Sequence, residues 1–325
     1  MQISDFDRFA FIVGAPRCGT TTISRLLASH PQLSFSMVKE PHFFAMHNLR
    51  GRPGEEVRSL VESDYLDRFF DSSSSARIGA EGSVSYLYTP EQLEPVLKLW
   101  PDSRFIVAVR DPLAMLPSLH GRLFYLGDET IGSFEQAWAA IPDRAAGRRI
   151  PRSCIDPRFL RYDEAGRLGT YVERLFAAVG RKRCLVVVFD DLIADSAEQS
   201  RRIVEFLGLD PIEPLPLRAE RRSRQVRHPW LQRLLKRPPM RVRAYLAGHH
   251  YRRRLVKDGD DSGGEAVEKV LSIRKKLLRW NRVEGKSPPV PLALQVDIRD
   301  RLKGEVTHLG ELIGRDLSHW LQPRP

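Results

Sequence analysis

Apolar residues run unbroken over 9–13, FAFIV; the chain then turns through 14–19, and apolar positions return at helical spacing, Ile23, Leu26 and Leu27, within 20–29. A short unbroken apolar run reads as a buried strand, and apolar positions three to four apart read as an amphipathic helix. The alternation continues. Strands are expected at 33–35, 77–81, 104–109 and 184–189, and helices at 54–70, 90–99, 112–125, 133–140, 169–179 and 196–207, the last closed by Gly208. His30-Pro31 stops the first helix, because proline lacks the N–H and restricts its predecessor. Asp111-Pro112 opens a later one as cap and first-turn proline. Strands alternating with helices predict a three-layer α/β fold, a parallel sheet with helices on both faces. Beyond Pro211 the sequence becomes Pro- and Arg-rich, with helical patterns again at 264–280 and 294–313. We expect an α/β core over 1–210, and over 211–325 a basic loop and C-terminal helices packing on the same domain or covering its open end.

The first turn carries the first candidate chemistry. Between a strand and a helix, backbone N–H groups and the positive helix end converge on one point, where an anion is favoured. Gly14 and Gly19 are expected to supply positive φ angles and close approach, and Thr20, Thr21 and Thr22 hydroxyl donors. The nucleoside-triphosphatase loop reads G-x-x-x-x-G-K-[ST]. Here the glycine spacing matches, but Thr20 stands at the lysine position and the cation comes earlier, at Arg17. The stretch is a P-loop-type cradle for a phosphate-like anion without being a standard ATPase loop. The plain alternative is a Gly/Pro turn between a core strand and a core helix.

Two further stretches fit that cradle. Arg110 follows the strand at 104–109, and Ser118 lies two helical turns further on. Ligands of parallel sheets sit at the carboxyl ends of strands, so Arg110 is positioned to face the same crevice as the glycine turn. Its planar fork can grip two phosphate oxygens, although a simple pair with Asp111 is the competing reading. In KEPHFF, Glu40 could act as a general base, since a carboxylate in a partly dry crevice holds a proton more firmly. The competing reading is a salt-bridged surface glutamate and a core-edge His42 beside Phe43 and Phe44.

GAPRCGTTTISRLLASHPQL followed by KEPHFF resembles the 5′-phosphosulfate-binding segment of sulfotransferases that use 3′-phosphoadenosine 5′-phosphosulfate (PAPS), most of all the bacterial and the Golgi heparan-type enzymes. The resemblance continues in RFIVAVRDPLAMLPSLHGRL, in GTYVERLF to VVVFDDL and weakly in GELIGRDLSHW, about two thirds of the chain. It implies sulfuryl transfer from PAPS to a hydroxyl or amine of a sugar, lipid, phenol, peptide or other small acceptor, without a metal. It implies that Arg17, Cys18, Gly19, Thr20, Thr21 and Thr22 hold the 5′-phosphosulfate and that Arg110 and Ser118 hold the 3′-phosphate. Glu40 becomes the general base, and His42 orients the acceptor or replaces Glu40. Arg17 departs from the family's usual lysine; a guanidinium stays protonated, so it stabilises the leaving oxygen only electrostatically, and Lys39 can add a compact cation. Gly82 departs too, since heparan-type enzymes carry a lysine after the glutamate of Glu81-Gly82-Ser83.

Rival classes rest on other stretches. CLVVVFDD at 184–191 mimics the magnesium strand of ATPases and, with the glycine turn, would make a nucleotide kinase; without the loop lysine we expect Asp190 and Asp191 to be caps and structural partners. The chain has 325 residues and a net charge of +11. From Arg218 to Lys257 there are 14 Lys or Arg and one acid, +13, so the remainder carries 11 − 13 = −2. Such a stretch suits a polyanionic nucleotide, nucleic acid or an anionic membrane. PAPS enzymes close their pocket with a late basic loop, which makes Arg218, Arg221, Arg222 and Arg224 candidates for nucleotide contact. Trp230, Leu231, Leu234 and Leu235 have helical spacing and are expected to pack. No nucleic-acid module is recognised, while a basic amphipathic segment resting on a membrane would fit a lipid-linked acceptor. The apolar content of 42% suits an ordered globule, and no apolar run reaches membrane length. Cys18, Cys154 and Cys184 lack metal spacing and suit a reducing compartment; with no leader or anchor in view, a cytoplasmic bacterial member is expected.

Overall fold

The computed structural model describes residues 1–212, 224–237, 264–284 and 289–322, the side chains of 224, 225, 264–268 and 284 excepted. The chain divides into two compact units, one of Met1–Met115, Gly166–Glu220 and Asp297–Pro325, the other of Leu116–Ala165 and Arg221–Val296.

The first unit is built on five parallel strands, β1 (Arg8–Ile12), β2 (Leu33–Phe35), β3 (Ile78–Gly82), β4 (Arg104–Val109) and β5 (Cys184–Val188), in the order β2-β3-β1-β4-β5. Strands covered on both faces must be apolar throughout, which is why β1 and β4 read as unbroken runs. Phe9, Phe11, Ile12 and Phe105 are fully buried. Phe11 stacks on Phe105 at 5.5 Å between ring centres, and Phe9 meets Trp100 at 4.2 Å. The helix α1 (Thr20–Ser29) follows β1 and buries Ile23, Leu26 and Leu27. Four more helices belong wholly or partly to this unit: α2 (Pro112–Leu126) after β4, then α3 (Leu168–Val179), α4 (Phe189–Ala194) and α5 (Ser196–Leu207). α5 ends at Gly208, φ +63°, and its last carbonyls receive Arg8 (2.7 Å to Leu207 O) and Arg104 (2.5 Å to Phe206 O). Cations at a helix carboxyl end satisfy open carbonyls and the helix dipole together.

This order sets up a crevice. The connection after β1 leads to β2 on one side of the sheet, and that after β4 leads to β5 on the other. Neighbouring strands whose connections diverge leave an opening at their carboxyl ends, where α/β sheets bind ligands.

Some elements differ from the sequence reading. β1 and β3 pair in register from Arg8 and Ile78, so each is offset by one residue, yet Val13 N still bonds Ile106 O at 3.0 Å. The expected helix at 54–70 is α-helical over Gly54–Leu60, widens into a π-helical stretch over Val61–Leu66 and ends with Asp67–Phe69. The one at 90–99 opens as a 3₁₀ turn, Pro90–Leu93, before Glu94–Leu99.

In the second unit, α6 (Pro229–Lys236) and α7 (Gly264–Trp280) accompany a short antiparallel pair, β6 (Arg224–Val226) with β7 (Arg282–Glu284). Asn281 ties this corner together: its side chain accepts from His228 N at 2.8 Å and donates to His228 O at 3.0 Å. Trp230 and Leu234 were expected to pack but are exposed, 68% and 51%, because they lie opposite the buried Gln232, which donates to Tyr125 O at 2.9 Å. A last helix, α8 (Leu292–Ile313), runs into the first unit, where Glu305 accepts from Thr170 N at 2.8 Å. Among the described residues no helix is long and apolar enough to cross a membrane.

Candidate active site

The glycine turn sits between β1 and α1, fastened to β4 by Val13 N and by Ala15 N, the latter 2.8 Å from Ala108 O. The two glycines are needed for different reasons. A Cβ on Gly14 would lie 2.1 Å from Ala108 N, so only glycine lets the turn lie against β4. Gly19 has φ +88° and precedes α1 in the left-handed region. Positive φ was expected at both, but steric room alone explains Gly14. Arg17 also has a positive φ, +69°, which holds its backbone in a conformation that side chains other than glycine rarely adopt. Cys18 is buried, and burial pushes its thiol well above the ordinary value, so it serves as backbone and packing here. Thr20 opens α1, and Ser24 donates to its carbonyl at 2.7 Å.

Arg110, at the end of β4, reaches this turn: a guanidinium nitrogen donates to Arg17 O at 3.2 Å, and its carbon stands 4.2 Å above the Phe189 ring. Asp111 caps the following helix, accepting from Leu113 N at 2.8 Å. The cation expected at the carboxyl end of β4 and the turn expected after β1 are thus in contact. Ser118 lies further along α2, in the second unit. Asp190 accepts from the Trp320 indole at 2.9 Å and Asp191 pairs with Arg315, the partnerships expected of them. Arg218, Arg221 and Arg222 lie outside the described residues, and of Arg224 only the backbone is described.

Beyond β2 the chain forms a second strained turn. Glu40 and His42 have φ +64° and +55°; with Arg17 they make three of the four non-glycine residues with positive φ among the described residues. Such conformations persist only where their surroundings impose them, and they gather at working sites. Lys39 pairs with Glu40, and His42 Nε2 stands 4.0 Å from the Glu40 carboxylate. His42 Nδ1 is 2.7 Å from Ser85 Oγ, which orients the ring. All three side chains are about one-third exposed, so the surroundings of Glu40 are partly dry.

The dry carboxylate is a neighbour, Glu81, that sequence reasoning named only for the glycine after it and gave no role. Glu81, in β3, is completely buried and receives three hydroxyls, Tyr86 at 2.7 Å, Ser83 at 2.7 Å and Tyr65 at 3.1 Å. Burial pushes its carboxyl up to about 7; the hydroxyl donors oppose the rise, and the Glu40 charge adds to it. The available signal was a single acid inside the otherwise uncharged strand Ile-Gly-Ala-Glu-Gly.

Comparison with known proteins gives the family. The model of the sulfotransferase family matches residues 10–214, more than half of the chain, and the chain belongs to that family. It is 25% identical over 214 residues to protein-tyrosine sulfotransferase 2 of Gallus gallus, covering 61% of this chain and 50% of the relative. It is 26% identical over 217 residues to heparan sulfate glucosamine 3-O-sulfotransferase 6 of Homo sapiens, covering 62% and 52%. The chain spans about half the length of these curated relatives. Among solved structures, a sulfotransferase from Alicyclobacillus acidocaldarius superposes with a TM-score of 0.61 at 22% identity, over 96% of this chain and 98% of that one, which shows a shared fold.

Proposed function

We propose that the protein transfers a sulfuryl group from PAPS to a hydroxyl-bearing acceptor. The observation that carries the reading is the contact between Arg110 and the carbonyl of Arg17: two guanidinium-bearing residues and an amide-lined turn share one end of the crevice. A donor with a phosphate at each end of its ribose needs an anion site in each of two segments. The turn from Arg17 to Thr22, at the positive end of α1, suits the 5′-phosphosulfate. Arg110 suits the 3′-phosphate, and the resemblance extends that role to Ser118.

PAPS would supply an activated sulfuryl group; the chain's own residues position it and manage charge. As the acceptor oxygen bonds to sulfur, the bond from sulfur to the phosphate oxygen breaks and its electron pair stays on that oxygen. Arg17 stabilises the charge arriving there, an electrostatic effect that is strong in a partly dry site. Glu40 takes the acceptor's proton, and His42, held by Ser85, orients the acceptor or substitutes as base. Lys39 keeps a cation beside Glu40. The names of the relatives, which act on protein tyrosine and on a heparan sulfate sugar, support an alcohol or phenol as acceptor. A kinase reading lacks the loop lysine, and its would-be magnesium acids are engaged by Trp320 and Arg315.

Calorimetry with 3′-phosphoadenosine 5′-phosphate (PAP) in EDTA tests the reading. Tight binding is expected, and Arg110→Ala should weaken it about 10- to 100-fold, the worth of a charged hydrogen-bonded contact, while adenosine 5′-phosphate is much less affected. Equal losses for the two nucleotides would remove the 3′-phosphate assignment; a preference for ATP with magnesium would favour the kinase.

A further inference from the structure

Two of the hydrogen bonds that hold the strained turn of Glu40 and His42 converge on one residue. His42 N donates to Ser83 Oγ at 2.9 Å, and Ser83 in turn donates to one carboxylate oxygen of Glu81 at 2.7 Å. Phe44 N donates to Tyr86 Oη at 3.3 Å, and Tyr86 donates to the other carboxylate oxygen at 2.7 Å. Two alternate amides, one in the turn at His42 and one in the helical turn Phe43–Met46 that follows it, are therefore strapped, each through one hydroxyl, to a single buried carboxylate in β3. Tyr65, from the π-helical stretch, supplies the third donor.

We infer that Glu81 is a positioning residue for the reaction, a carboxylate pin that fixes the left-handed turn of Glu40 and His42 through Ser83 and Tyr86. The inference rests on the reading of Glu40 as base, and it explains why a carboxylate is buried without a cation. Among the described residues its polar contacts are three hydroxyls. A carboxylate accepts all three at once. An amide or a protonated acid brings its own hydrogen, so one hydroxyl must turn and its strap loosens. The ionised form is thus the form that holds both straps. The groups facing it are Tyr65 and Tyr86 on neighbouring elements, Ser83 just beyond the end of β3, and Glu40 through space, whose negative charge favours the protonated form. With the carboxyl near 7, the pin tightens as pH rises through neutrality.

The test uses the full chain with Ser83→Ala, Tyr86→Phe, Glu81→Gln and, as a reference, Glu40→Gln. Turnover is read as PAP released from PAPS with water as acceptor, nucleotide binding by calorimetry with PAP, and strap integrity by amide exchange at His42 and Phe44. Each strap variant should lower kcat about 10- to 100-fold, the usual cost of slight misplacement, with PAP affinity unchanged. Ser83→Ala should speed exchange at His42 and Tyr86→Phe at Phe44. Glu81→Gln should also abolish the fall in kcat as pH drops through about 7, a change that a merely structural role would not produce. Wild-type kcat in both strap variants while Glu40→Gln is inactive overturns the pin and leaves the base standing. Full activity in Glu40→Gln overturns the base, and exchange at His42 and Phe44 then decides the pin: no change at either amide overturns it. Because amide exchange requires no turnover, it decides the pin in the same way should water prove a poor acceptor.

Discussion

Two glutamates, one in each unit, are buried to nearly the same degree and surrounded in opposite ways. Glu129 is 2% exposed and meets Arg144 through two hydrogen bonds of 2.7 and 2.9 Å, with Tyr162 at 2.9 Å and the amides of Thr130 and Ile131 at 2.7 and 2.9 Å. Glu81 is 0% exposed and, among the described residues, receives hydroxyls only. Taking a carboxylate out of water costs several kcal/mol unless a cation and hydrogen bonds offset it. Glu129 has that compensation and reads as a fastener within its unit. Glu81 has no such cation among the described residues, keeps its proton until about neutral pH, and stands against the strained turn of Glu40. Perturbed carboxyls gather at functional sites, so a buried carboxyl with hydroxyl partners points to a role more strongly than burial alone does.

The contrast can be broken in three ways. The largest effect is expected from Arg144→Ala, which leaves Glu129 buried without its cation and should destabilise the protein by about 3–5 kcal/mol in urea unfolding. A loss below about 1 kcal/mol would mean that the pair is not the fastener described.

Next comes pH. Glu81 titrates near 7 when folded against an ordinary 4.5, so between those values the unfolded chain gives up its proton first. Stability from this group is fully present below 4.5, falls as pH rises and has gone above about 7, a total on the order of 3 kcal/mol. Comparing urea midpoints at pH 5 and pH 8 for wild type and Glu81→Gln isolates the effect, because other titrations cancel in the difference. Parallel behaviour in the two proteins would show that Glu81 is ionised at both pH values. The smallest effect is expected from Tyr162→Phe, which removes one donor from a charged acceptor that keeps its cation, about 2 kcal/mol by thermal or urea unfolding.

Much of the fold was legible because its signals are local. Unbroken apolar runs gave β1 and β4 within a residue, the Gly208 stop closed α5 as read, and Asp111-Pro112 capped α2 as read. The π-helical stretch at Val61–Leu66 was not legible, since its side-chain pattern is that of an ordinary helix. In the site, Arg17, Glu40, His42 and Arg110 were named from motif and resemblance. The two separate reasons for Gly14 and Gly19 needed the neighbouring strand, and so did Glu81, whose partners lie up to 16 residues away. Trp230 and Leu234 were misread because helical spacing tells which residues share a face and not which face is covered.

The order of residues alone settled which segments extend, which coil, and where a turn must be glycine, for these depend on backbone sterics and on the period of apolar side chains. Folding in three dimensions decided which distant groups meet. Desolvation, left-handed backbone at Glu40 and the strapping of two amides to one carboxylate arise only when β3, the π-helical stretch and the turn after β2 close on one another.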